Sequence, residues 1–324
     1  MNVLGIDIGY SNLKLAYGPQ GAEPKVLLRP AGAAPADRLG EKIRGNEEED
    51  FVRVLVNETV FVAGISPDRA ELWSRELHEN YPSTDSYRAL LHAGLLLSEL
   101  EQVDLLVTGL PVNQYLNEEL RNRLVKLMQG EHQVTPRRKI NVGQVKVVPQ
   151  PVGGFVDHVW NLPDATEISD SRVLVVDPGF FSVDWVLISN GELRRQSCGT
   201  SLEASSVILD EAVRLIADDF GGSVGRERLE NAIRNGHAQV RLFGERVEVA
   251  PYIKKATDKV GPIVATRLRE SLRKENAGAD KVLLVGGGVG FFEAAVKEAF
   301  PQLKVSTPDT PVFANVRGFW RMGV

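Results

Sequence analysis

The chain is short of cysteine, of histidine pairs, of excess positive charge and of long apolar runs, and each shortage removes a class of function. One cysteine, Cys198, among 324 residues leaves no intramolecular disulfide framework and no cysteine-cluster metal site. It points instead to a reducing, cytoplasmic compartment. The five histidines, His78, His92, His132, His158 and His237, show no H-x-x-x-H pairing and read as surface or core residues. With 38 Lys and Arg against 43 Asp and Glu the net charge is −5, so no global field draws in nucleic acid. The longest uncharged apolar run, Val282–Phe292, is eleven residues with four glycines, whereas a membrane span needs roughly 20. MNVLGIDIGY has neither a basic start nor a small-residue cleavage site after an apolar run. A cytoplasmic location without direct membrane contact is therefore expected. Two nucleotide signatures are also missing. G-x-x-x-x-G-K-[ST] does not occur, and Phe291 stands where Gly286-Gly287-Gly288 would need the last glycine of G-x-G-x-x-G.

What is present alternates buried strands with amphipathic helices, the pattern of an α/β protein. Val3–Ile8 and Leu13–Tyr17 read as strands joined by a Gly-Tyr-Ser-Asn turn. Residues 31–50 read as a surface loop, and Phe51–Val56 with Val60–Gly64 as a hairpin. Helices are expected over Ser86–Leu100, Asn117–Met128, Leu202–Phe220, Arg226–Arg234, Pro251–Lys274 and Phe291–Ala299. Strands are expected over Val103–Gly109, Lys139–Val148, Val173–Val176, Ser182–Ile188, Glu192–Gln196 and Val282–Val285, with a hairpin over Gln239–Val249.

The chain also resembles itself. At an offset of 170, Val3 falls on Val173, Leu4 on Leu174, Asp7 on Asp177 and Gly9 on Gly179, while Asn12 meets Ser182 and Lys14 meets Asp184. Both copies read strand, Asp-x-Gly turn, strand. Two unrelated hairpins would read the same way, since Asp-x-Gly turns are common. A true repeat has a specific chemistry. Facing turns expose backbone N–H groups that hold phosphate oxygens, and Gly9 and Gly179 let the backbone approach closely. Asp7 and Asp177 would flank the phosphates, where a hard cation such as Mg²⁺ takes carboxylates and keeps waters. Lys14 would neutralise phosphate charge. The turn Gly286-Gly287-Gly288, between a buried strand and a helix, would let the chain pass tightly under a nucleotide.

With these motifs assembled, GIDIGYSNLK resembles the first phosphate loop of the actin, sugar kinase and Hsp70 superfamily, VVDPGFFSVD the second, and LLVGGGVGFF the adenosine motif. PQPVGGF at 149–155 resembles the first connecting helix, and FANVRGFW the second connecting region. Within that superfamily the Pro-Gln-Pro-Val-Gly-Gly and Ala-Asn-x-Arg-Gly-Phe segments look most like the plasmid-segregation actins of the ParM/StbA family. The resemblance implies an actin-like α/β fold of two Ribonuclease-H-like domains, 1–165 with 306–324 and 166–305, closing on a nucleotide. It implies an ATPase that binds ATP or ADP with Mg²⁺, polymerises with itself and works through a DNA-binding adaptor. By the same resemblance Asp7 and Asp177 would serve the metal. Gly9, Tyr10, Ser11, Asn12, Lys14, Gly179, Phe180 and Ser182 would lie on the phosphates. Gly286, Gly287 and Gly288 would lie under adenosine, and Gln150 would place the attacking water. Pro178 and the pair Phe180-Phe181 depart from the small residues usual in the second loop.

Other features read more simply. Glu47-Glu48-Glu49-Asp50 reads as a solvated acidic loop. Arg137-Arg138-Lys139 is a weak phosphate site at most, and Cys198 has no visible base. Phe319 and Trp320 read as packing, because the tail is too short for an amphipathic anchor. A small-molecule kinase of the same superfamily is the alternative function, but it would need a base such as Asp where Gln150 stands. A membrane-tethered relative would be expected to show an amphipathic tail, and none is read in these residues. Segments 35–85 and 200–250, outside the nucleotide motifs, are the expected filament contacts.

Overall fold

The computed structural model describes residues 1–324 except 41–50, 72–77, 79, 165 and 274–277. It divides into two units, Met1–Ala165 with Thr310–Val324, and Thr166–Asp309. The loop reading of 41–50 lies outside the described residues.

In the first unit, strands Asn2–Ile8, Asn12–Pro19, Lys25–Pro30, Gln102–Leu110, Gly130–Thr135 and Arg138–Pro149 form one sheet. Its order is Lys25–Pro30, Asn12–Pro19, Asn2–Ile8, Gln102–Leu110, Arg138–Pro149, Gly130–Thr135. The first strand runs antiparallel to the second and parallel to Gln102–Leu110. Side chains alternate across a strand, so the strand serves two cores. Leu4 and Ile6 pack with Leu90, Leu106 and Leu124 in the layer of helix Asp85–Leu97. Val3 packs with Val107, Phe319 and Trp320 on the other face. Two helices, Gln150–Trp160 and Pro311–Arg321, cover that second face. Each has proline in its first turn, where the missing N–H costs nothing.

Glycine permits the crossing of this helix pair. A Cβ on Gly318 would lie 1.8 Å from the Gly153 carbonyl oxygen, and one on Gly153 would lie 2.5 Å from that of Asn315. Asp157, fully buried on the first helix, accepts from Arg317 Nε at 2.9 Å and Nη2 at 2.6 Å, and from Arg321 Nη1. Two guanidiniums therefore compensate one buried carboxylate, as a buried charge requires.

A small sheet of Gly32–Pro35, Thr59–Ile65 and Val52–Val56 belongs to the same unit. Part of the expected surface loop is thus strand. Helix Asp85–Leu97 secures this sheet through His92, whose Nδ1–H donates to Leu55 O at 2.7 Å. His132 meets the His92 ring edge-on at 5.4 Å and donates from Nε2 to Met128 O at 2.8 Å.

The second unit repeats the plan. Arg172–Pro178 pairs antiparallel with Val183–Ser189 and parallel with Lys281–Leu284. The register is that of the first unit moved by 170: Val3 opposes Gly18 and Val173 opposes Ile188. Helices Ser205–Phe220, Ala250–Arg273 and Val289–Ala299 contribute Ile208, Leu209, Val264, Leu268 and Phe292 to the core against Leu174, Val176 and Leu187. The strand expected over Glu192–Gln196 stops at Leu193, because a 3₁₀ turn takes over at Arg195–Ser197. Lys304–Ser306, absent from the sequence reading, pairs parallel with Lys281–Leu284. That pairing carries the second unit past the boundary expected at 305. Among the described residues no helix is long and apolar enough to cross a membrane.

Burial pushes the His92 imidazole down to about 4, with Leu55 O opposing and His132 and Arg88 adding repulsion. The unfolded chain, near 6.5, then binds the extra proton between those values. Stability is full above pH 6.5 and falls as pH drops toward about 4. Urea midpoints at about pH 7.5 and about pH 5 should differ in that direction, and His92→Gln should narrow the difference. An equal difference in the variant would remove His92 as its source.

Candidate functional site

The chain leaves the first strand at Ile8 and re-enters the sheet at Asn12. Gly9 N–H closes this turn onto Asn12 O at 3.0 Å, where a Cβ on Gly9 would lie 3.2 Å from the same oxygen. Ser11 O accepts from Ala31 N at 2.9 Å, which fixes the turn to the next segment. The Tyr10 side chain leaves the turn. Its hydroxyl donates to His78 O at 2.8 Å and its ring stacks on Tyr81 with centroids 4.7 Å apart. Only the Tyr10 backbone therefore serves the turn. Tyr81 in turn meets Tyr87 edge-on at 5.2 Å. Burial pushes the Tyr87 phenol well above its usual range, and Tyr81, Asp7 and Tyr10 add to that.

Beside the turn, Asp7 and Lys14 are register partners on adjacent antiparallel strands, so their side chains share one face. Lys14 Nζ lies 2.8 Å from Asp7 Oδ2. Gln150 Nε2 donates to Asp7 Oδ1 at 3.1 Å. Asp7 is 2% exposed, and these two donors satisfy both of its oxygens in that buried place. Gln150 opens its helix directly after Pro149, and Gly109 makes room for it, since a Cβ on Gly109 would lie 2.7 Å from Gln150 Cγ. The structure thus brings Asp7, Lys14 and Gln150 together from three elements. The Asn12 side-chain Oδ1 is buried and has no hydrogen-bond partner among the described residues.

The second unit builds a related turn with different chemistry. Gly179 N–H closes onto Ser182 O at 2.8 Å, the counterpart of the Gly9–Asn12 bond. Asp177 opposes Asp184 where Asp7 opposed Lys14. Asp184 is buried and accepts from Ser182 Oγ and Thr200 Oγ1, each at 2.6 Å. The Gly179 N–H and the Ser182 hydroxyl, expected to face phosphate, are therefore taken up inside the unit. Phe180 packs partly buried against the core, and its carbonyl accepts from Ser206 N at 2.9 Å. Ser205 Oγ donates to Gly179 O at 2.8 Å. The turn is thus fastened to the start of helix Ser205–Phe220.

The triple glycine follows strand Lys281–Leu284. Gly286 has φ +90°, and a Cβ there would sit 1.9 Å from Asp177 Oδ1. Gly288 N donates to Pro178 O at 2.8 Å, and its missing Cβ leaves room for Ser205 Oγ. Gly286 and Gly288 are buried and Gly287 is exposed. Two of the three glycines therefore seat this turn against the Asp177 strand end. Sequence reasoning passed over Asp184, Thr200, Ser205 and Gly109. The offset of 170 already paired Asp184 with Lys14, but nothing local pointed to the other three.

Residues 5–153 match the family described as "Actin like proteins N terminal domain". No curated protein matches the chain. Among solved structures the chain is similar to a non-polymerisable quadruple mutant of the pCBH ParM, at 18% identity and TM-score 0.79 over 99% of this chain and 98% of that one. It is similar to an archaeal actin homolog in complex with ADP, at 19% identity and TM-score 0.76 over 100% and 99%. It is also similar to a 15-stranded ParM filament from Clostridium botulinum, at 18% identity and TM-score 0.73 over 99% and 98%.

Lys14→Met should leave Asp7 buried with Gln150 as its remaining donor among the described residues. We expect a loss of about 3–5 kcal/mol of unfolding free energy, as for a buried pair broken on one side. Adding Asp7→Asn should recover part of it, because the uncompensated charge is then gone. Denaturant titration of the single and double variants checks this, and strictly additive losses would contradict it.

Proposed function

We propose that this chain, whose fold is the actin-like fold, binds ATP with Mg²⁺, hydrolyses it, and couples the cycle to assembly into filaments that segregate plasmid DNA through a DNA-binding adaptor. The observation that carries this reading is the doubled strand–turn–strand unit, which ends each time in a buried carboxylate beside a tight glycine turn. The ADP complex of the archaeal homolog and the filament of the Clostridium botulinum ParM support nucleotide binding and assembly. In this reading Gly9, Ser11, Asn12 and Lys14 supply phosphate contacts from the first unit. The Phe180 backbone would supply one from the second, on the turn that the Gly179–Ser182 bond closes, and Gly286–Gly288 would lie on the adenosine side.

The residues present fit a water-rich Mg²⁺. Among the described residues no group of three or more His, Cys, Asp or Glu could hold a metal. Mg²⁺, however, usually takes one or two carboxylates and keeps several waters. Asp7 or Asp177, each buried at a strand end of its own unit, would supply such a carboxylate. The orphaned Asn12 Oδ1 is an acceptor that calls for a donor; a phosphate offers none, whereas a metal-bound water does. When bound, the cation would draw negative charge from the phosphates.

Gln150 has its Nε2 engaged by Asp7, which leaves Oε1 to accept from a water. A carboxamide cannot take that water's proton, so its work is orientation for in-line attack. Gln150→Ala should therefore slow single-turnover hydrolysis about 10- to 1,000-fold while ATP affinity stays within a few-fold. Filaments of the variant should persist longer, as seen by sedimentation over time. Hydrolysis that is unchanged, or lost together with binding, would remove Gln150 from this role.

A further inference from the structure

The hairpin Gln239–Leu242 with Glu245–Glu248 carries two features that weaken its own folding. Arg241 and Arg246 are direct cross-strand partners, and like charges placed opposite each other destabilise a strand pair. Glu248, two residues along the same strand from Arg246, is instead bonded to Gln239. Among the described residues neither guanidinium has a carboxylate partner. The connecting turn is Phe243-Gly244 with φ of 51° and 86°, a pair of left-handed residues for which Asn-Gly is the favoured choice. Phenylalanine at positive φ is strained, and this one is 77% exposed. Its ring stands against Gly222, where any Cβ would collide with it. Phe220, two residues before Gly222, is 38% exposed. His237, Gln239, Arg241 and Arg246 line an open concavity of about 420 Å³ along the hairpin.

Strain that local structure does not explain accumulates at sites that work. Aromatics and arginine are the residue types that anchor protein interfaces. The opposite face of the hairpin, Val240, Leu242 and Val247, is buried in the unit's own core, so the Arg and Phe face is the one on offer.

Resting on the filament reading above, we propose that this hairpin is a docking surface for a second copy of this chain, with Arg241 and Arg246 taking carboxylates and Phe243 as the apolar anchor. Charge complementarity selects the occupant. The chain has a net charge of −5 with 43 acidic residues, so the remaining surface of a second copy presents the sign this patch lacks. The same charge fixes the kind of contact. Hairpin against hairpin would bring four guanidiniums together, so the contact is heterologous, with this patch meeting a different surface. Heterologous contacts generate rings or open filaments, not closed two-fold dimers.

The test uses the full chain with Mg²⁺ and a non-hydrolysable ATP analogue, followed by sedimentation and by ultracentrifugation at high concentration. Arg241→Glu with Arg246→Glu should raise the critical concentration by about tenfold or more, the scale of lost hot-spot contacts, while nucleotide affinity stays within about twofold. Phe243→Asn should raise the critical concentration and also raise Tm, since asparagine relieves the turn. A purely structural role would move both in the same direction as stability. Critical concentrations unchanged in both variants, with the wild type still assembling, overturn the hairpin contact and leave the filament reading standing. A wild type that forms only short oligomers which the arginine variant abolishes supports the contact and sinks the filament reading. A wild type that stays monomeric throughout overturns both. Retention of a DNA duplex by the wild type that the arginine variant loses, with assembly unaltered, assigns the patch to nucleic acid and overturns the proposal.

Discussion

A carboxylate that is 2% exposed and sits at a strand end must be compensated, and the way Asp7 meets that constraint organises the first unit. Its two donors come from different distances in the chain. Lys14 is delivered by the tight turn, because a register in which Gly9 bonds Asn12 sets Lys14 opposite Asp7. Gln150 is delivered by a helix whose position depends on backbone contact with Pro311–Arg321 at Gly153 and Gly318. That helix pair is in turn locked by Asp157 between Arg317 and Arg321. One buried charge near the turn thus rests on another at the helix crossing.

The second unit keeps the backbone of this arrangement and changes its electrostatics. Asp177 opposes a second acid, Asp184, whose oxygens are satisfied by the hydroxyls of Ser182 and Thr200. Hydroxyl donors hold Asp184, whereas an ammonium and an amide hold Asp7. The two halves are alike in hydrogen-bond pattern and unlike in net charge at the same register position. The outer hairpin of the second unit shows a related economy, with local stability given up at Phe243, Arg241 and Arg246 in favour of a surface.

Much of this was legible in the residues. The offset of 170 is real in register and in turn geometry, because a two-strand turn is a local object whose glycine and polar residues are dictated by nearby backbone. The main helices were visible from apolar spacing, with ends displaced by a few residues, as at Ser205 instead of Leu202. Edge strands such as Lys25–Pro30 and Lys304–Ser306 were not visible. Lys25–Pro30 has no fully buried residue and Lys304–Ser306 is only three residues long, so neither carries the alternation that separates a strand from a loop.

The amino-acid sequence by itself determined the duplicated turns, the carboxylates at their bases and the α/β class, since all three follow from residue type at short range. Tertiary structure decided what each group does. That Gln150 bonds Asp7 depends on a contact 143 residues apart. That Gly286 and Gly288 serve a close approach to Asp177 and Pro178 depends on two parallel strands meeting side by side. That the Ser182 hydroxyl faces Asp184 rather than the outside depends on which way the strand's pleat points. Spacing along the chain fixes which residues can be neighbours on one element, and only packing between elements chooses the partner that satisfies a buried polar atom.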